Sequence, residues 1–393
     1  CAAPAADKGA GGALGFTGVP ASLRDGVVIP PEYEWQLLYP WGTPTGITGI
    51  GGRMPAFSPD ASNSADDQAA QAGMHHDGMH FFALDASGDR GLLVMNHEYT
   101  DEQLLHTDGV KQWTPEKVRK SLHAMGVSVI EIRRTPEGWR QVLPSPFARR
   151  VHGNTPMRIA GPAAGTPLMR TAANPAGDAV FGTFANCAMG VTPWGTYLTC
   201  EENFHGYFGG PKEAASRMTA AQRRYGTVPG SQWVEYWRFD ERFDLSRHPN
   251  EPHRFGWVVE IDPFDPTATP IKRTALGRKR QESATCTVAK DGRLVVYMGD
   301  DSRFEYIYKF VSRDKVRPGT DAQARAANRH LLDEGTLYVA RYDAGGCDQW
   351  LELTHGRGGL DAAGGFADQA EVLIHARLAG DVVGGTKMDR PEW

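Results

Sequence analysis

The chain has 393 residues, with 42 lysines and arginines against 47 aspartates and glutamates, and a formal charge of −5 at neutral pH. This mild acidic balance argues against nucleic acid as a partner, and no apolar run reaches the ~20 residues that span a bilayer. Apolar residues at 40% supply a sizeable core, while 46 glycines and 26 prolines favour many short strands between turns over long helices.

The chain begins at Cys1 rather than Met, and the Ala/Gly stretch up to Gly15 reads as a flexible lead-in. A processed start predicts that a secretory peptide has been removed, placing the protein in the periplasm or outside the cell, with a lipid on Cys1 as the minor alternative. Residues 16–393 are expected to form one domain. Glu34–Tyr39, His80–Leu84, Gly91–Asn96, Val127–Arg133, Val234–Phe239, Phe255–Ile261, Arg293–Met298, Phe304–Phe310 and Thr336–Tyr342 carry the β-branched and aromatic residues of strands. Turn chemistry at Arg134–Gly138, Asp262–Pro266 and Asp291-Gly292 bounds several of them. Thr114 and Pro115 predict a helix start, Val118, Leu122 and Met125 follow at helical spacing, and Gly126 stops it. Pro211–Arg224 and Asp321–Glu334 read as two further helices. All three look like packing elements inserted on an all-β scaffold, a propeller or a large sandwich.

Five cysteines (Cys1, Cys187, Cys200, Cys286 and Cys347) contain no CxxC pair, which rules out a zinc ribbon or a thioredoxin-type site. A Cys200–Cys286 bridge stays open. Gly380–Lys387 resembles a P-loop only by eye, since Lys387 follows Thr386, and Gly49-Ile-Gly51 lacks the third glycine of a dinucleotide fingerprint. Neither GxSxG nor HExxH occurs. His75, His76 and His80, with Asp77, read as a surface loop. The informative pattern is acid at strand ends: Glu98, Glu201-Glu202, Glu282, Asp300-Asp301, Asp389 and Glu392. Singly, each reads as a solvated or salt-bridged turn residue. Gathered in one place, they would need a cation; hard oxygens suit Ca²⁺, and the thiolate of Cys187 would make a mixed site that also suits iron.

Asn186–Asn203 (NCAMGVTPWGTYLTCEEN), Val296–Phe310, Thr386–Glu392 and Asn96–Tyr99 resemble blocks of the PhoX-type alkaline phosphatases, in family order and over nearly the whole chain. The resemblance implies a six-bladed β-propeller with a few inserted helices, exported by the twin-Arg route. It implies a monomer that hydrolyses small phosphate monoesters with Fe³⁺ and Ca²⁺. It also implies roles for residues: Cys187 as an iron ligand, Glu282 and Glu392 as bridging carboxylates, and Glu201 and Glu202 on calcium. Arg390 would contact phosphate with its planar fork. Lys387 joins it as a catalytic residue, Glu98 and Asp300 as metal ligands and Asn96 as a substrate contact, on motif membership alone. Metal ions would then grip the phosphoryl oxygens and supply the nucleophile, with Thr192 and Ser283 open as protein nucleophiles.

Gln281 stands where the family usually has His, and Met189 where it usually has Gly. The family continues beyond Trp393, so a propeller lacking its C-terminal blades is expected, with an open sheet edge. The competing readings are a related metal-dependent ester or lactone hydrolase and an exported propeller kept for binding.

Overall fold

The computed structural model describes residues 15–47, 54–346 and 348–392. The lead-in with Cys1, Gly49-Ile-Gly51, Cys347 and Trp393 lie outside the described residues. Alternating apolar and polar residues build strands, and most of these pair with their sequence neighbours. In the first sheet β1 (His76–Ala83), β2 (Arg90–His97), β3 (Gly126–Thr135) and β4 (Gly138–Gln141) lie side by side in chain order, and β5 (Arg149–Val151) pairs with the start of β3. The second sheet contains β6 (Pro156–Ala160), β7 (Ala179–Phe181), β8 (Asn186–Val191), β9 (Tyr197–Glu201), β10 (Val258–Ile261) and β11 (Ile271–Arg273). Their spatial order is β7-β6-β11-β10-β9-β8, with β6 and β11 parallel. The remaining strands are β12 (Gln281–Val288), β13 (Arg293–Asp300), β14 (Arg303–Glu305), β15 (Ile307–Lys315), β16 (Gly335–Tyr342), β17 (Asp348–Glu352) and β18 (Met388–Asp389). They form a third sheet, β12-β13-β15-β16-β17, and a small β14-β18 ribbon.

One edge strand from each of the three sheets meets the others, because β8 packs against both β1 and β12. Glycine permits the approach: a Cβ on Gly78 would sit 3.0 Å from the Cys187 carbonyl oxygen, and one on Gly190 only 1.9 Å from that of Ala284. The described residues are mostly sheet with few helices, as the composition predicts, and the sheets do not close into a ring. One core lies between the first two sheets and an aromatic cluster that includes Phe184, Phe208, Tyr236 and Phe255. A second lies between the third sheet and the helices at Gln369–Ile374 and Ala376–Val383.

Several predicted elements are corrected. Glu34–Tyr39 forms no strand, and Trp35 and Leu37 are mostly exposed. Val234–Phe239 contains a 3₁₀ turn at Tyr236–Arg238, whose Tyr236 ring is pulled into the aromatic core, so burial overrides β propensity. The Thr114 helix forms over Pro115–Ala124, the Thr114 hydroxyl accepting from the Lys117 amide. Pro211–Arg224 is broken: Thr219 caps a new helix at Ala220–Arg224 and leaves Lys212–Arg217 as 3₁₀ turns. The third helix stops at Asn328. Gly380 lies inside the Ala376–Val383 helix, and Gly384 ends it at φ +81°.

Candidate metal centre

Each of the three converging strands is bulged at its site end. The register slips between His76 and Met79 on β1, between Asn186 and Met189 on β8, and between Glu282 and Thr285 on β12. A bulge breaks the alternation of side chains and re-aims one residue. Here the re-aimed residues are Asp77, Cys187 and Glu282. Left-handed backbone at His75 (φ +47°), Ser283 (φ +74°) and Arg390 (φ +54°) places strain beside them.

The result is a cluster with the Cys187 thiol at its centre. The ligating atoms of Asp77, Glu98 and Cys187 lie within 4.8 Å of one another, as do those of Cys187, Glu202 and Glu282. The thiol donates to Asp77 Oδ2 at 3.2 Å and is also shared with the Glu282 carboxylate. Burial and these surrounding acids push the Cys187 thiol far up. Burial pushes Glu282 to about 7, a rise the thiol hydrogen bond opposes and the Asp301, Asp77 and Glu392 charges reinforce. Glu98 is pushed to about 7 by burial and by Asp77 and Asp301. Glu202 goes to about 9 through burial and the charges of Glu282, Asp301 and Glu98. Packed acids held this way are a repelling set that protons or external cations must neutralise. The donors are carboxylate oxygens and one sulfur, which fits calcium together with a softer transition metal.

Asn96 fixes the thiol's strand. Its amide group donates to the carbonyl oxygens of Cys187 (2.5 Å) and Ala188 (3.0 Å), and its oxygen accepts from Tyr197 and Thr199 hydroxyls at 3.0 and 2.8 Å. Fully buried and with its hydrogen-bonding capacity spent, Asn96 holds β8 and is not free to touch a substrate. Arg390 reaches the rim, its guanidinium taking Asp301 at 2.7 and 2.6 Å and Glu392 at 2.7 Å.

Three other expected residues lie elsewhere. Glu201 is fully buried against Lys272 Nζ (2.6 Å) and accepts from the Gly256 and Trp257 amides. Asp300 is fully buried in a bidentate pair with Arg377, at 2.7 and 2.5 Å. Lys387 is exposed, 3.7 Å from Asp381. Both doublets therefore split: Glu202 and Asp301 face the cluster, while Glu201 and Asp300 face the scaffold, because successive residues on an extended chain point to opposite sides. Asp77, read with its histidines as a surface loop, is the site residue the sequence does not single out, and Asp301, one of the strand-end acids, takes the place expected of Asp300. Alternation from Glu282 across the β12–β13 ladder was the available signal for Asp301. His75 instead stacks on Tyr99 at 3.8 Å, and His76 packs edge-on against His97.

Thr192 is buried with its hydroxyl 2.7 Å from that of Thr196, and the Ser283 hydroxyl points at the Tyr297 carbonyl oxygen, so neither is presented as a nucleophile. Cys200 and Cys286 are free thiols. Gln281 is buried, donating to the Gly277 carbonyl oxygen at 2.7 Å on the far side of the strand.

The family model described as alkaline phosphatase PhoX matches residues 14–393. Among solved structures, the chain is similar to Pseudomonas fluorescens PhoX in complex with vanadate, a transition-state analogue. That likeness has a TM-score of 0.91 and 51% identity, and covers 96% of this chain and 65% of the other, so this chain spans just under two thirds of its relative's length. A comparison with curated proteins returns no match.

Proposed function

Since the chain belongs to the alkaline phosphatase PhoX family, we propose that it carries the metal centre of an exported phosphatase that hydrolyses small phosphate monoesters. The observation that carries this reading is the gathering of Asp77, Glu98, Glu202 and Glu282 around one half-buried thiol. Fe³⁺ would be held by Cys187 with Glu282 and Glu392, and Ca²⁺ by Glu202 with Asp77 and Glu98. When bound, these ions supply the positive charge that stabilises phosphoryl oxygens and activates the attacking group. The chain's own residues do the rest. Asn96 fixes the thiol, Arg390 orients Asp301 and Glu392 and presents its remaining N–H groups to phosphate, and the buried walls keep the acids close enough to share cations. The vanadate bound by the Pseudomonas relative mimics a phosphoryl transition state, which supports the same substrate class here. On this reading the three sheets are blades of a propeller, with β1, β8 and β12 as inner strands. No helix of the described residues is long and apolar enough to cross a membrane.

The test is elemental analysis of the chain purified without chelator, with p-nitrophenyl phosphate hydrolysis measured on the same sample. Iron and calcium together with phosphate release support the reading. Both metals without phosphate release, but with cleavage of a lactone or carboxylic ester, would replace it with the related hydrolase.

A further inference from the structure

A second arginine stands at the cluster. Arg280 immediately precedes β12, and strand alternation sets it on the same side as Glu282, with Gln281 turned to the other. Its backbone carbonyl accepts from the Asp301 amide at 3.1 Å. Its positive charge acts on Glu202, and the Glu202 and Asp301 carboxylates act back on it.

What distinguishes it is its partner. Arg377, Arg224 and Arg390 are matched with acids, Asp300, Glu305 and Asp301, and Arg278 spends its guanidinium on the backbone carbonyl oxygens of Phe255 and Pro252. Among the described residues Arg280 has no ion pair. Its Nη2 donates to His205 Nε2 at 2.8 Å, and its Nε is buried without a partner. Burial and the charges of Arg280 and Arg377 push His205 down to about 2, so the ring is a neutral acceptor. The imidazole is set edge-on against Trp233 at 5.1 Å. Gly226 keeps the space beside it open, since a Cβ there would come within 3.0 Å of the ring and 3.5 Å of Arg280 Nη2. A carboxylate in this position would orient Arg280 and neutralise it; a neutral histidine orients it and leaves its charge intact. A buried guanidinium N–H without an acceptor is costly until something supplies one.

We propose that Arg280, positioned by His205, is an anion-binding residue of this site, whose free N–H groups take an oxygen of the phosphate or phosphate ester. The assignment rests on the phosphatase reading above. The competing role is internal counter-charge, in which Arg280 only offsets the acid cluster and helps retain its metals.

The experiment titrates inorganic phosphate into the full chain prepared without chelator, for wild type, Arg280→Gln and Arg280→Lys. Iron and calcium content and thermal unfolding are measured on each sample. The proposal expects Arg280→Gln to keep its metals and to weaken phosphate binding about 10- to 100-fold, with Arg280→Lys weakened less. Should Arg280→Gln not fold, Arg280→Lys decides, with a loss of more than about threefold at full metal content expected. Phosphate affinity within about threefold of wild type at full metal content overturns the proposal and leaves the phosphatase reading standing. A loss that tracks metal loss across both variants also overturns it, in favour of the counter-charge role. If metal-loaded wild type neither binds phosphate nor releases it from p-nitrophenyl phosphate, the phosphatase reading itself fails and the assignment falls with it.

Discussion

Glu201 and Glu202 are chain neighbours of identical chemistry, and so are Asp300 and Asp301, yet the two members of each pair belong to different parts of the molecule. Glu201 and Asp300 sit in the scaffold, each locked to a buried cation from the chain, Lys272 or Arg377. Glu202 and Asp301 face the cluster, where carboxylates outnumber the protein cations and the pKa of Glu202 rises to about 9. The lesson is that a buried acid's role is set by who neutralises it. Where the chain supplies a buried cation, the pair fastens elements together; Asp301 has only the exposed Arg390 at the rim, and Glu202, with no ion pair among the described residues, is left for a proton or a metal.

The sharpest way to break this contrast is at the thiol. Cys187→Ala is expected to abolish iron binding and reduce p-nitrophenyl phosphate turnover by at least ~1000-fold, while leaving the fold and most calcium in place. Iron retained with full activity would show that the cluster is assigned wrongly.

The scaffold acids should respond in stability. Arg377→Met or Lys272→Met strands a fully buried carboxylate and is expected to cost about 3–5 kcal/mol in chemical denaturation. Glu202→Gln should act in the opposite sense, raising the midpoint of the chelated protein and lowering calcium affinity. Equal losses from both kinds of variant would erase the distinction.

Protons provide a third test. Glu98 and Glu282 are raised to about 7 and Glu202 to about 9 from an ordinary 4.5. Between those values the folded, metal-free protein binds more protons than the unfolded chain, so this contribution to stability is full below about 4.5 and is lost as pH rises through 7 to 9. Thermal scans from pH 5 to 9 with chelator should therefore show a decline that saturating calcium reduces. A decline of the same size with and without calcium would place its source elsewhere.

Asn96→Ala removes the hold on Cys187 and Ala188 without removing a ligand. Iron affinity is expected to fall about 10- to 100-fold in a chelator competition, with the thiol still present. Lys387→Ala should have the smallest effect. Its ammonium is exposed beside Asp381, and turnover within about threefold of wild type is expected; a larger loss would restore Lys387 to the catalytic set.

Local signals in the chain specify the class of the fold, the helix start at Thr114-Pro115, most of the strands that alternate cleanly, and the family, through long motifs that keep Cys187, Glu202 and Arg390 in order. These are local properties: propensity, capping and contiguous signature. Packing settles the rest. It converted Val234–Phe239 into a turn because an aromatic core drew in Tyr236. It split the acid doublets, because the facing of a side chain follows from pleat and pairing rather than from residue type. It recruited Asp77 through a bulge on β1 that sits where Gly78 lets β8 approach closely. The partners that tell a structural acid from a metal-binding one, Lys272 for Glu201 and Arg377 for Asp300, lie more than 70 residues away along the chain. Such partners are brought near only by packing, and no local pattern encodes them.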